Sequence, residues 1–431
     1  MAVENVLDIL KAFDNLQLGT VRQKCQINGV NSIDEIAKIY ELTRQKQIEL
    51  GQWGYENYTM QGSNASGLIR SDANQEIQKN CIIWSINHYL GLNRHPQVIA
   101  SATEATQIYG TGSGTSAMSG GHNLLHKQLE QRLAKVMKKE AAILFSTGFT
   151  ANFGAITALG KCGKTLFLLD EECHASIFDG VKLNSCNYMI FRHNRISELR
   201  QLLHTYSSDF DNILVLVESV YSMSGEEALL QEIVKLKKEY KFYLFVDEAH
   251  AFGLYEVGGL CSQLGITEDV DFIVTTLSKS TASIGGVVAC SREFKTLFQA
   301  EATAYIFQAA MTPGDAAAAL QALEIIESEP LLRESLWEKT HYFRKGLKTS
   351  GFDTGKGTSP IISIYIRNVD LLYRFSKILF EHNIFVTPIT YPAVSPSEVR
   401  FRFIVNNGHT YDQIDHTLSL LTKIGKQLGV I

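Results

Sequence analysis

Residues 270–290 read VDFIVTTLSKSTASIGGVVAC. An apolar run, a stretch of small hydroxylated residues, two glycines and a second apolar run follow one another, which predicts a buried strand, a tight loop and another buried strand. Lys279 stands inside that loop, where neither an apolar core nor a solvated helix face accounts for it. Working outward, further apolar runs alternate with amphipathic stretches: AAILFS (141–146), TLFLLD (165–170), YMIF (188–191), NILVLVES (212–219) and FYLFVDEA (242–249). Buried strands separated by helices predict an α/β fold with a mainly parallel sheet flanked by helices on both faces.

At the N-terminal side, residues 1–53 read as helical, with Ile33, Ile36, Ala37 and Tyr40 expected on one face behind a Ser/Asp start. The segment MTPGDAAAALQALEIIESEP (311–330) predicts a long helix that stops before Pro330. Beyond it, PIISIYI, NIFVTP and VRFRFIV interleave with helices, as in a smaller α+β domain. The expected organisation is therefore an N-terminal helical arm and extended segment over 1–80, a large domain over 81–312 and a small C-terminal domain over 313–431.

Composition excludes several classes. A net charge of -5 over 431 residues is the wrong sign for nucleic acid as the main partner, which needs a basic field. Seven cysteines without a CxxC pair are expected to be reduced thiols in a cytoplasmic protein. The start MAVENVLDILKAF lacks a basic region leading into a long apolar stretch, so neither a signal peptide nor a transmembrane helix is expected. No metal site is expected either.

Two motifs point towards a nucleotide triphosphatase. ALGKCGKT (158–165) nearly fits a phosphate-binding loop, and VDEAH (246–250) resembles the acidic motif of a helicase. The first must follow a strand and open a helix, whereas here the apolar strand comes after it. GSGTSA (112–117) fits a degenerate dinucleotide pattern, but no buried strand precedes it.

A better account starts from strand ends. In open α/β sheets ligands bind beyond the carboxyl ends of the strands, so side chains placed there converge. Lys279 follows DFIVTT, Asp247 and His250 follow FYLFV, Ser222 follows LVLVESVY, His174 follows TLFLLDEE, and STGF follows AAILF. A buried Asp–His pair or a core histidine would each be ordinary alone; the set together calls for a cofactor with an aldehyde, a basic ring nitrogen and a phosphate. Pyridoxal 5′-phosphate fits: a lysine for the aldehyde (Lys279), a carboxylate for the pyridine nitrogen (Asp247), an imidazole for the phenolic oxygen (His250) and a flat ring for stacking (His174). Its phosphate would take the Gly148 and Phe149 amides at a helix start, with the hydroxyls of Thr276 and Ser278 beside the lysine.

The chain resembles the α-oxoamine synthases, pyridoxal-phosphate enzymes of fold type I. The likeness runs from about residue 50 to the C-terminus through NHYLGL (87–92), YGTGSG (109–114), HKQLE (126–130), STGFTAN (146–152), DEECHASIFDG (170–180), ESVYSMSGE (218–226), VDEAHAFG (246–253) and TTLSKSTASIGG (275–286). Within the family the nearest likeness is to its bacterial serine palmitoyltransferase branch, through EAAILFSTGF, SKSTASIGG, AMTPGDAAAALQALEIIESEP, YPAVSP and HTYDQID. The resemblance implies decarboxylative condensation of an amino acid, on this branch L-serine, with a long-chain acyl thioester to give an α-aminoketone. It implies a homodimer, Asn87 directed to the substrate across the dimer interface, and Arg402 in VRFRFIV as the partner of the substrate carboxylate. The acyl donor it implies is acyl-CoA or an acyl carrier protein, and a lipid product of this kind brings peripheral membrane association into consideration.

Departures from the family stand at Ala117, at Gln308, Ala309 and Ala310, at Arg195 and at Glu256. The second removes hydroxyls that in the family reach the cofactor phosphate from the partner subunit. Alanine or glycine as the amino acid, a non-catalytic partner subunit and the triphosphatase remain the alternatives.

Overall fold

The computed structural model describes residues 21–49, 57–71, 77–183 and 187–431; the start MAVENVLDILKAF lies outside them. The chain divides into two compact units, one of residues 87–338 with 356–360, the other of the residues before 87 with 339–355 and 361–431. The helix Pro313–Ser328 clusters with the large unit, so the boundary falls at 338/339 where the sequence placed it at 312/313. Residues 81–86 cluster with the small one.

Strands in chain order are β1 (Asn57–Thr59), β2 (Ser66–Ser71), β3 (Ile77–Ile83), β4 (Ala141–Phe145), β5 (Thr165–Asp170), β6 (Asn187–Phe191), β7 (Asn212–Glu218), β8 (Tyr243–Asp247), β9 (Phe272–Thr276), β10 (Gly286–Cys290), β11 (Ile361–Tyr365), β12 (Ile384–Phe385), β13 (Thr387–Ile389) and β14 (Arg400–Ile404). In the large unit β4 to β10 form one sheet in the order β4-β10-β9-β8-β7-β5-β6. Of these seven, β10 alone runs against the rest, pairing antiparallel with both β4 and β9. The sheet is thus mainly parallel and helix-flanked, as fold type I requires.

Local chemistry explains each run. β4, β5, β9 and β10 are buried along their whole length, which is why they read as unbroken apolar stretches. β6 is an edge strand with Tyr188 and Ile190 half exposed, so the YMIF run is apolar without being interior. Phe145, Phe167, Phe245, Phe272 and Phe298 fill the core between the sheet and its helices. Each such side chain contributes about 1.5–3 kcal/mol on burial.

The phosphate-loop look-alike is settled by position. Its turn joins the C-terminal end of the helix Gly148–Leu159 to the start of β5, where carbonyls rather than amides are left over. The dinucleotide look-alike follows the helix Pro96–Tyr109, not a strand.

In the small unit, β11, β14 and β13 form an antiparallel sheet, and β1, β2, β3 and β12 form a second sheet. Trp84 stacks between Phe343 and His409, with ring centroids 4.5 and 4.0 Å away. Burial lowers the His409 pKa to about 4, so a neutral ring packs there and bonds the Ile83 carbonyl. In the helix Ile33–Glu49 the buried face is Ile39, Thr43 and Gln47. Ile33 opens that helix and is exposed, and Ala37 is exposed too, so the expected face is displaced by part of a turn. No helix among the described residues is long and apolar enough to cross a membrane.

Candidate active site

The loop that carries Lys279 is closed tightly by its own polar residues. Leu277 donates to the Gly285 carbonyl and Ser283 to that of Leu277, which folds residues 277–285 back onto the sheet. The Thr276 hydroxyl bonds the Gly285 carbonyl at 3.1 Å and the Ser278 hydroxyl at 2.8 Å. The small hydroxylated residues beside the lysine are therefore what hold the loop in shape.

Lys279 Nζ lies 2.6 Å from His250 Nε2, and on the other side of that ring Nδ1 lies 2.7 Å from the Tyr89 hydroxyl. Asp247 ends β8 and is 5 % exposed. One of its oxygens accepts from the Ala249 amide at 2.8 Å, the other from the Asn152 side-chain amide at 2.7 Å. Asn152 also donates to Ser176 Oγ at 3.0 Å, and Ser176 Oγ lies 2.8 Å from His174 Nδ1. Asp247 and His174 are thus tied together through two polar residues. The sequence reading passed over Asn152 and Tyr89; each stands in a motif, STGFTAN and NHYLGL, but its partner is far away in the chain.

A second carboxylate sits beside the first. Glu218 ends β7 and is paired in register with Asp247. Burial, and then the Asp247 charge beside it, push the Glu218 carboxyl well above the usual carboxylate range. Two anions cannot share this site cheaply, so burial and the neighbouring carboxylate favour the protonated form of Glu218.

The helix Gly148–Leu159 starts after β4 with Thr147 as its cap, bonded to the Thr150 amide at 3.1 Å. Helix geometry leaves the Gly148 and Phe149 amides without an intrahelical acceptor. Gly148 is required: a Cβ there would sit 2.6 Å from Thr276 Cβ. The helix start packs closely against Thr276, which is bonded to Ser278, and its free amides fit a phosphate, with the two hydroxyls beside them able to re-orient towards it. Phe149 is half exposed and meets the His174 ring edge to face at 6.4 Å. Gly148→Ala is expected to weaken pyridoxal phosphate binding at least about fivefold, from an over-packing strain of about 1–3 kcal/mol. An unchanged cofactor titration together with an unchanged melting temperature would overturn the close-packing argument.

Ser222 is buried in the turn after β7, with no hydrogen bond to the other site residues among the described residues. Asn87 is half-buried, and its carbonyl accepts from the Tyr89 amide. Arg402 lies on β14 of the small unit, half-buried between Ser363 and Thr387 of the neighbouring strands. Arg400, two residues earlier on β14, is 2 % exposed, bonds the Tyr365 hydroxyl and Glu398, and packs its guanidinium 4.2 Å above the Tyr365 ring.

The departure at residues 308–310 has a local account. Where hydroxyls are missing at Gln308, Ala309 and Ala310, backbone groups hold the segment instead: Ala310 donates to the Thr115 carbonyl, Ser146 to that of Ala309, and Ser113 to that of Met311. His126 Nε2 bonds the Met311 carbonyl as well, at 2.8 Å. Arg195 stands at the N-cap position of the helix Ile196–Tyr206, beside His193, without a side-chain capping bond. Burial works against charge on His193, but hydrogen bonds to Asp170 and Glu226 outweigh it and raise its pKa to about 10. That ion pair anchors Asp170, where the segment leading to His174 begins.

Comparison with known proteins gives the family. Residues 79–421 match the model of the family described as aminotransferase class I and II. A serine palmitoyltransferase of Sphingobacterium spiritivorum is 39% identical over 368 residues, 84% of this chain and 92% of the relative. An 8-amino-7-oxononanoate synthase of Thermoanaerobacter pseudethanolicus is 36% identical over 355 residues, 82% of this chain and 90% of the relative. Among solved structures, a serine palmitoyltransferase of Sphingomonas wittichii superposes with a TM-score of 0.85 at 28% identity, covering 93% of this chain and 100% of that one. A structure of SPT with PLP superposes with a TM-score of 0.86 at 29% identity and the same coverage.

Proposed function

Since this chain belongs to the α-oxoamine synthases, pyridoxal-phosphate-dependent acyltransferases within the class I and II aminotransferase family, we propose that its amino-acid substrate is L-serine and its acyl donor a long-chain acyl-CoA. The products are then an α-aminoketone of the 3-keto-sphinganine type, CO2 and the free thiol. The observation that carries this choice is the 39% identity to a serine palmitoyltransferase over 84% of the chain. We propose further a cytoplasmic homodimer, with Asn87 serving the substrate across its interface and the membrane surface as the place where the lipid product is released.

Pyridoxal phosphate, when bound, supplies an electron sink for a carbanion at the amino acid's Cα. In this reading Lys279 Nζ would hold the cofactor through its aldehyde and, when free, would be the base that takes the Cα proton. Asp247, held by Asn152 and Ala249, keeps the ring nitrogen protonated; Glu218, itself neutral, adds no competing charge. His174, fixed by Ser176, offers a flat ring for stacking, and His250 meets the phenolic oxygen. Arg402 pairs with the substrate carboxylate until it leaves as CO2. Cα would bond to the thioester carbonyl carbon as the thiolate leaves, CO2 would then be lost, and the proton held on Lys279 Nζ would return to Cα.

The domains follow the same reading, the large unit for the cofactor and the small unit for Arg402. Arg402→Ala is expected to weaken serine binding by about 1.5–3 kcal/mol through loss of a charge-assisted pair, with the resting cofactor spectrum unchanged. Spectral titration with serine, alanine and glycine, followed by thiol release from acyl-CoA, tests the substrate. Serine should give both the spectral change and the release. A response to alanine or glycine alone would replace serine, a reading favoured by the 36% identity to an 8-amino-7-oxononanoate synthase. Release only from a carrier-bound acyl group would replace coenzyme A.

A further inference from the structure

His250 is 4 % exposed, so both of its ring nitrogens must find partners inside the protein. On one side stands Lys279 Nζ, 2.6 Å from Nε2; on the other, the hydroxyl of Tyr89, 2.7 Å from Nδ1. Tyr89 is fully buried, and its ring meets the imidazole edge to face at 81°. Its hydroxyl therefore has little freedom except rotation of the proton.

The identity of the group at Nδ1 decides what Nε2 can do. An ammonium has protons and no lone pair, so opposite it Nε2 accepts and the ring proton lies on Nδ1, donating to the Tyr89 oxygen. Opposite an anionic oxygen, such as the phenolic oxygen of pyridoxal phosphate, Nε2 must carry the proton, and Nδ1 must then accept. A carboxylate or carbonyl at Nδ1 would forbid the second state, because neither can donate. A hydroxyl permits both, since it accepts in one state and donates in the other.

We propose that Tyr89 is a positioning residue that lets His250 change tautomer, accepting from Nδ1–H while Lys279 is the neighbour and donating to Nδ1 once the cofactor's phenolic oxygen faces Nε2. One proton moves from Nδ1 to Nε2 and the Tyr89 hydroxyl turns; the ring stays neutral throughout, and no net proton is taken up or released. The inference rests on the pyridoxal-phosphate reading of the site and deepens it by one residue.

The test is nitrogen NMR on protein with 15N-labelled histidine, stripped of pyridoxal phosphate and then reloaded, with the His250 signals identified by their loss in His250→Gln. Wild type should show Nδ1–H in the stripped protein and Nε2–H, with Nδ1 as a hydrogen-bonded acceptor, in the reloaded one. Tyr89→Phe keeps the buried ring and removes the hydroxyl. It should bind the cofactor about tenfold more weakly, as expected when a buried acceptor loses its donor, and its Nδ1 should move towards the shift of an unbonded nitrogen in the loaded form. The same tautomer in both forms of the wild type overturns the proposal, and so does a Phe variant with unaltered affinity and unaltered nitrogen shifts. Should the Phe variant not fold, the two wild-type spectra decide alone. A wild type that takes up no cofactor at all overturns this inference together with the functional reading beneath it.

Discussion

Lys279→Ala is expected to lower turnover by a factor of about 10⁴ or more, the scale seen when the residue that forms a covalent intermediate is removed. In the proposed function two separate tasks fall to this amine, the link to the cofactor aldehyde and removal of the Cα proton. The imidazole of His250, 2.6 Å from Lys279 Nζ, makes a poor replacement for either task. Cofactor binding itself should survive, because the cradle at Gly148, Phe149, Thr276 and Ser278 is untouched. Wild type should absorb near about 420 nm, as a conjugated protonated lysine linkage does, and the variant should lose that band while still taking up cofactor. Borohydride treatment of wild type followed by peptide mapping should place the pyridoxyl label on Lys279. A label on another residue would defeat the assignment.

The second large effect is expected at Asp247. Replacement by Asn keeps the volume and removes the charge, so the ring nitrogen loses the anion that keeps it protonated. The surroundings sharpen this loss. Asn152 and the Ala249 amide both aim donors at the carboxylate, and an asparagine can present an acceptor to only one of them. Glu218 then becomes the nearest acid, free of the neighbouring charge that helped keep it neutral. A loss of about 10²–10⁴ is expected, the range for a group that supports proton transfer, concentrated in exchange of the amino acid's Cα proton. Near-normal exchange of that proton with deuterium in the Asn variant would refute the role.

What the sequence made legible followed from periodicity and from strand ends. β4, β5, β9 and β10 are interior on both faces, so their apolar runs have no interruption and their ends are easily seen. Polar residues immediately after such runs had to gather at one edge of the sheet, which is why Lys279, His250 and Asp247 could be grouped before any coordinates. Their supporting residues could not. Tyr89 meets His250, and Asn152 meets Asp247, across long stretches of chain, and nothing local distinguishes a tyrosine that serves a histidine from one that only fills the core. The exposure of β6 was hidden for a similar reason: YMIF is as apolar as the buried runs, yet Tyr188 and Ile190 are exposed, whereas β4 at the other edge of the sheet is buried. The boundary after residue 312 misread a change in pattern as a change of unit, because Pro330 ends one helix while the next, Leu331–Thr349, runs on through the boundary.

The place of β10 has a consequence for how the protein is made. It lies between β4 and β9, although both precede it in the chain. While the polypeptide is being synthesised, β4 emerges early but has no neighbour on that side until Cys290 has left the ribosome. Only then does Gly286 close against the Thr147 carbonyl and bring the start of the helix Gly148–Leu159 against Thr276. The earliest strand of the sheet is thus the last to be locked in, a closure of long sequence separation of the kind that slows folding and leaves an edge open meanwhile. A ligand that binds only the closed cradle would stabilise that late closure by mass action.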